Sequence, residues 1–298
     1  ANQFEPAIDA LTGGGFVVSW TDDSGTGNAR SDEEVWGRMF NADGTPLTDA
    51  FLMSTTYSND DQDDSSVAGL ANGTVVVVWE DESESGGDVS DDAVRGHLFE
   101  ADGTPLGTTF LVNTTTHDKQ DEPEVAALAD GGFVVTWEDD SRTGADRDGS
   151  AVRAQVFEAD GSTRGDEFLV NTTMSGKQDD MSVAGLSGGG FVIAWEDDSE
   201  TGGDNENDAI RAQVFDADGD RLGSEFLVNT TTEDDQEDPI VFALDGGGFV
   251  VGWADESAED SGGPRIARAQ EFASDGTAVG GEVVVDTTTY EGSIFEIA

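Results

Sequence analysis

Short apolar runs of four to seven residues recur along the whole chain, each closed by Gly, Asp, Asn or Pro. Between positions 122 and 171 four such runs follow one another, at 122–128, 133–137, 151–157 and 167–171. They are rich in Val, Phe and Leu, too short for stable helices, and show no sustained 3.6-residue period, so the pattern predicts strands. Asp130-Gly131-Gly132 and Ala159-Asp160-Gly161 separate the first from the second and the third from the fourth. Such pairs mark tight reversals, because glycine accepts the positive φ that these turns require. An acidic stretch, 138–150, separates the second run from the third.

The whole pattern repeats. Variants of Gly-Gly-Phe-Val-Val-x-Trp end at Trp20, Trp79, Trp137, Trp195 and Trp253, spaced by 59, 58, 58 and 58 residues. A period of this kind decides the architecture. Four antiparallel strands in about 58 residues make a meander sheet with two open edges and little core of its own. Radial repetition removes both problems, so the fold class expected is all-β, a five-bladed β-propeller with four strands per blade. The alternative is a set of blades in a longer open array. One domain, 1–298, is expected, with repeats at 4–61, 62–119, 120–177, 178–235 and 236–290 and an extra strand in 291–298. The small residues of the first strands, as in Val125-Ala126-Ala127-Leu128, suit the crowded inner position, which leaves the fourth strands outermost.

Strand parity then places the chemistry. In a four-stranded meander the acidic loop between strands two and three lies at the same end as the connection from strand four to the next blade. The two acidic parts of every repeat therefore converge on one face. There each Trp is followed by acid-acid-Ser: Asp22-Asp23, Asp81-Glu82, Asp139-Asp140, Asp197-Asp198 and Asp255-Glu256. Carboxylate, hydroxyl and carbonyl oxygens in loops are what a hard cation such as calcium takes, six to eight at a time. These ten residues are the candidate metal ligands and calcium the expected cofactor. Asp and Ser that bond neighbouring backbone amides in turns are the plainer alternative.

Charge sharpens this picture. Sixty-five Asp and Glu face 13 Lys and Arg, a formal net charge of −52. Such a surface repels nucleic acid and anionic membranes and attracts cations. No apolar run is long enough to span a membrane. Cysteine is absent, which excludes disulfides, thiolate nucleophiles and Cys-ligated zinc.

Four of the few basic residues, Arg95, Arg153, Arg211 and Arg268, hold one position on strand three, which predicts an ion pair with a repeat carboxylate. In the first repeat Trp36 stands there instead. It breaks the pattern and is the candidate ligand-binding residue, as a sugar platform, whereas the five repeated Trp are expected to pack between blades. The Asn-Thr-Thr at Asn113, Asn171 and Asn229 has the form of a glycosylation sequon, but its recurrence at strand ends predicts side chains that bond the turn backbone. His97 and His117 have no recurring partner. Units two to four are so alike that they argue against an enzyme, whose site normally sets unlike groups around an axis.

The runs Asp-Gly-Gly-Phe-Val-Val-x-Trp, Val-Arg-Ala-Gln-Val-Phe-x-Ala-Asp-Gly and Glu-Phe-Leu-Val-Asn-Thr-Thr resemble repeats of very large secreted bacterial RTX-like and adhesin-like surface proteins. The resemblance implies an extracellular location and calcium dependence, although the Gly-Gly-x-Gly-x-Asp nonapeptides of RTX arrays are lacking. The function expected from these features is a non-catalytic extracellular surface, adhesion or matrix module that binds calcium and glycans. A self-assembling subunit of a filament or surface layer is the alternative, and a carbohydrate-active propeller enzyme the third choice.

Overall fold

A computed structural model describes residues 2–24, 33–54, 60–88, 90–204, 206–257 and 265–286. Among these, twenty strands form five four-stranded antiparallel sheets, each a meander in chain order. The first sheet holds β1 (Gln3–Ala10), β2 (Phe16–Asp22), β3 (Glu34–Phe40) and β4 (Phe51–Leu52). The second holds β5 (Gln62–Gly69), β6 (Thr74–Asp81), β7 (Ala93–Glu100) and β8 (Pro105–Leu111). The third holds β9 (Gln120–Ala127), β10 (Phe133–Asp139), β11 (Ala151–Phe157) and β12 (Thr163–Leu169). The fourth holds β13 (Gln178–Gly185), β14 (Phe191–Asp197), β15 (Ala209–Phe215) and β16 (Arg221–Leu227). The fifth holds β17 (Gln236–Ala243), β18 (Phe249–Asp255), β19 (Ile266–Phe272) and β20 (Ala278–Asp286). These are the five blades of four strands expected of the propeller. The strand expected in 291–298 lies outside the described residues. The chain divides into two compact units, 1–141 with 154–167, and 142–153 with 168–298.

In the first unit the apolar faces of neighbouring sheets close on each other. Val17, Val35 and Met53 meet Val75, Val77 and Trp79. Val76, Val78 and Val94 on the other face of the second sheet meet Phe133, Val135 and Trp137. In the second unit Val192, Ala194 and Ile210 meet Val241, Phe249 and Trp253. Trp79, Trp137, Trp195 and Trp253 are fully buried, as packing residues should be. First strands pack on first strands, β1 on β5 and β5 on β9 in one unit and β13 on β17 in the other, while the fourth strands are the exposed ones. In four of the blades the last glycine of the turn after strand one lies under the end of strand three. A Cβ at Gly190 would stand 2.2 Å from the Phe215 carbonyl oxygen, and at Gly132 2.4 Å from that of Phe157.

One residue fits its place poorly. Gln155, Gln213 and Gln270 on strand three donate Nε2 to carbonyls of their own or the following strand, such as Val156 (2.9 Å), Val214 (2.8 Å) and Glu271 (2.7 Å). His97 holds that position in β7 and is 3% exposed, and neither ring nitrogen makes a well-formed hydrogen bond. Burial lowers its pKa, opposed only by a marginal approach to the Met53 backbone. Restoring the repeat residue with His97→Gln should stabilise the protein by about 1 kcal/mol, the usual net value of a recovered buried hydrogen bond. A denaturant melt checks this, and a lower midpoint would show that the imidazole is satisfied as it stands.

Candidate functional site

The carboxylates that follow the tryptophans are largely built into the scaffold. Asp81, Asp139, Asp197 and Asp255 are buried at the ends of their strands. Each accepts from the serine two residues on, with Ser Oγ at 2.8 Å from Asp81, Asp139 and Asp197, and the Ser257 amide at 2.9 Å from Asp255. The glutamine that opens the first strand donates to three of them, Gln120 to Asp139 (3.3 Å), Gln178 to Asp197 (3.1 Å) and Gln236 to Asp255 (3.1 Å). The expected arginine pairs are formed as Arg95–Asp81, Arg211–Asp197 and Arg268–Asp255. Arg153 reaches the Thr143 carbonyl at 3.3 Å. At Asp81, Asp197 and Asp255 a guanidinium thus stands where a bound cation would, and the fit to calcium there is poor.

The second acids have other tasks. Asp23 accepts from the Asn2 side chain (2.9 Å) and Asp198 from the Lys177 amide (2.6 Å), each holding the entry to the first strand of its own blade. Asp140 lies near Asp121 and raises its pKa, behind the larger effect of burial. Glu82 and Glu256 do join groups of three carboxylates, Glu80–Glu82–Asp92 and Asp235–Glu237–Glu256.

The asparagines are structural. The Asn113 carbonyl accepts the Val94 amide (3.0 Å), and its Nδ2 donates to Asp88 (2.9 Å), the Thr115 carbonyl (2.7 Å) and Gln120 (2.9 Å). Asn171 and Asn229 bond Asp146 and Asp204 in the same way. Asp88, Asp146 and Asp204 are therefore buried hydrogen-bond acceptors.

The least compensated acids were missed in the sequence and lie on the first strands. Each of these strands has a bulge after its second residue, as between Asp63 and Ser66 and between Phe4 and Ala7. The bulge residue is acidic in all five blades and has positive φ: Glu5 (49°), Asp64 (42°), Glu122 (49°), Asp180 (43°) and Asp238 (53°). That region is strained for a long side chain, and bulges re-aim side chains at functional sites. Here the bulge breaks strand alternation and brings the consecutive residues Asp63 and Asp64 together with Glu5. Oxygens of all three lie within 4.8 Å of one another.

Four such groups of three occur among the described residues. In three of them a basic side chain intrudes. Lys119 lies 3.4 Å from Glu80 and 3.3 Å from Asp92, Lys177 pairs with Asp179, and Arg265 lies 2.7 Å from Glu256. No described Lys or Arg forms an ion pair with Glu5, Asp63 or Asp64. Their protons answer the crowding instead. Burial, then the neighbouring charge of Asp64 and a carboxyl contact with Glu33, pushes Asp63 up to about 8. Burial, then Glu5, pushes Asp64 up to about 6. One Asp63 oxygen is buried without a partner.

The first blade differs a second time at Trp36. With no arginine there, Asp22 accepts from Gln3 (2.8 Å) and the Ser24 amide (2.8 Å). Trp36 lies directly across from Trp20 in the β2–β3 register. A cavity of about 440 Å³ opens between Gln3, Trp20, Asp22, Trp36 and Ala50. β2 is buried on alternate residues only, Val17, Ser19 and Thr21, so Trp20 and Asp22 are on its half-exposed face. The Thr21 hydroxyl, on the other face, donates to Glu5 (3.2 Å). The cavity and the Glu5–Asp63–Asp64 group thus flank the same sheet from opposite sides.

No family model matches the chain, and no curated protein is similar to it in sequence. Solved structures are. A Dyadobacter fermentans protein of unknown function is 11% identical with a TM-score of 0.60, over 96% of this chain and 83% of that one. The NanB sialidase of Streptococcus pneumoniae, as its K499G mutant, is 7% identical with a TM-score of 0.60, over 96% and 61%. An α-L-arabinanase of Penicillium chrysogenum, complexed with arabinobiose, is 15% identical with a TM-score of 0.54, over 96% and 93%. At these identities the likeness is one of fold: the chain is an all-β propeller of five four-stranded blades. It also corrects the reading as a non-catalytic adhesion or matrix module, and with it the filament alternative, because chains of this fold include glycan-cleaving enzymes. The argument from near-identical repeats fails for a physical reason. The backbone repeats, but the residue after each Trp is Thr21, Glu80, Glu138, Glu196 or Ala254, and the intruding base is present in some carboxylate groups and missing in another.

Proposed function

We propose that the chain is a carbohydrate-active enzyme that hydrolyses a glycosidic bond with Asp63 and Asp64, flanked by Glu5. The observation that carries this reading is the group itself: oxygens of Glu5, Asp63 and Asp64 lie within 4.8 Å of one another, one Asp63 oxygen is buried without a partner, and no described Lys or Arg pairs with the three. Burial and mutual repulsion raise both, Asp63 to about 8 and Asp64 to about 6, so that near neutral pH the coupled pair shares a proton. A pair of carboxyls whose surroundings separate their titrations is how one site supplies an acid and a base together. The five-bladed fold, found also in an arabinanase, supports the same substrate class.

The spacing favours the double-displacement route. Carboxyls about 5–5.5 Å apart act as acid and nucleophile, whereas about 6.5–9.5 Å leaves room for a water between them. Oxygens within 4.8 Å of one another leave no room for a water between the carboxyls, which favours the first class over the second. Asp63 gives its proton to the glycosidic oxygen as the bond to the anomeric carbon breaks, and Asp64 attacks that carbon to form a glycosyl ester. Asp63, now a carboxylate, takes a proton from water, which opens the ester and restores both groups. Behind burial, Glu5 adds to the rise of both Asp64 and Asp63.

The test is reducing-sugar release from arabinan, xylan and β-glucan, with the anomer of the first product followed by NMR. Release with retained configuration is expected. No release from any of the three polymers would refute the enzyme reading, and an inverted product would refute the double displacement.

A further inference from the structure

We propose that the Trp20–Trp36 cavity is a second, non-catalytic carbohydrate subsite, selective for neutral sugars, on the opposite side of the first blade from the carboxylates. The inference rests on the carbohydrate reading but uses different residues. Two indoles at directly opposed positions of adjacent strands, both lining the cavity, supply the flat apolar surface on which the C–H face of a sugar ring packs. Asp22 and Gln3 at the rim supply an acceptor and an amide, the few placed polar groups that orient a ligand in a mostly apolar pocket. A cavity of about 440 Å³ takes one or two sugar rings.

Comparison within the chain argues that this is a built feature. In the second, fourth and fifth blades the same position carries an arginine paired with the aspartate that Asp22 matches. The exchange to Trp36 removes that pair and frees one wall of the cavity. The Trp36 Nε1 points to Glu34 at 3.4 Å, which turns the ring edge toward the protein. Hydrogen bonds from Ser24 and Gln3 outweigh burial and keep Asp22 ionised. That carboxylate, in a chain of net charge −52, repels uronic and sialic acids, so the ligand class is neutral.

Isothermal titration of the Asp64→Asn protein with arabinohexaose, xylohexaose and cellohexaose tests this without consuming the ligand, with oligogalacturonate as the anionic control. At least one neutral oligosaccharide should bind, and the anionic one should not. Trp36→Arg in the same background rebuilds the repeat pair with Asp22. It should melt at or above the parent temperature and weaken binding at least tenfold. Trp36→Leu, which removes only the aromatic face, should weaken binding likewise and serves if the arginine variant fails to fold. Binding unchanged in the folded variant, equal binding of oligogalacturonate, or no binding by any neutral probe would overturn the subsite. Hydrolysis by the wild-type protein without Trp36-dependent binding would overturn the subsite alone, and binding without hydrolysis would overturn the catalytic reading alone.

Discussion

Asp64→Asn should abolish hydrolysis of every substrate, while Asp63→Asn should abolish the first, bond-breaking step only for substrates with poor leaving groups. The first change removes the nucleophile, and no leaving group compensates for that. A fall in kcat of at least about a thousandfold is expected, in line with the scale on which losing an acid or base partner alone costs about 10²–10⁴. The second change removes the proton donor. A sugar-linked oxygen needs that proton as the bond breaks, but a nitrophenolate leaves without it. Asp63→Asn should therefore fail on the polysaccharide but keep the initial burst of nitrophenolate on a nitrophenyl glycoside, with slow turnover afterwards, because Asp63 is also the base that activates water against the ester. The wild-type pH–rate profile should be a bell, rising near 6 and falling near 8, and both limbs belong to the coupled pair. With Asp63→Asn and the nitrophenyl substrate the alkaline limb should vanish. Equal losses on both substrates, with the alkaline limb in place, would mean that Asp63 is not the acid.

The repeat and its strands were legible because apolar runs and Gly turns are local signals. The predicted 151–157 coincides with β11, and the Gly-Gly-Phe run opens β10 where expected. Fourth strands were placed too late: β12 begins at Thr163, directly after the tight turn, through a stretch whose polar residues carry no strand signal. The arginine position was readable because a base is rare in this chain. Asp63 and Asp64 were not, because among 65 acids a carboxylate pair has no contrast. One signal was present: these acids follow a glutamine on an apolar inner strand rather than in a loop, which places charge where the protein cannot fully solvate it. Their joint orientation depends on a bulge, and a bulge is set by the pairing partner, not by the strand's own residues.

Burying carboxyls in so acidic a chain has a consequence for stability, and its sign is fixed. Glu196 is 7% exposed, and burial, then the charge of Asp180, pushes it up to about 10. Glu80, 5% exposed, is pushed up to about 9, with burial the largest cause. Asp63 follows at about 8 and Glu237 at about 7. An unfolded chain releases these protons near pH 4, so between about 4 and about 9 the folded protein holds more of them, and stability falls as pH rises. Each proton so held corresponds to about 1.4 kcal/mol per pH unit. Glu167, Glu225 and Asp255 act the other way. Although burial opposes it, hydrogen bonds from Thr115, Thr173 and Ser257 lower their pKa, so their contribution is present above about pH 4 and lost as pH falls through the folded values. The melting temperature should accordingly peak near pH 4 and fall steadily toward pH 9. Glu196→Gln should flatten the fall and melt several degrees above wild type at pH 9, because the amide can still accept the Asp238 amide (2.6 Å) without a charge to bury. Salt separates the two causes. At 1 M ionic strength charges are screened within about 3 Å, which removes surface repulsion but not the burial of a charge. The whole curve should therefore rise in salt and keep its slope. A curve that becomes flat in 1 M salt would assign the fall to repulsion between exposed carboxylates and leave Glu196 and Glu80 no special part in it.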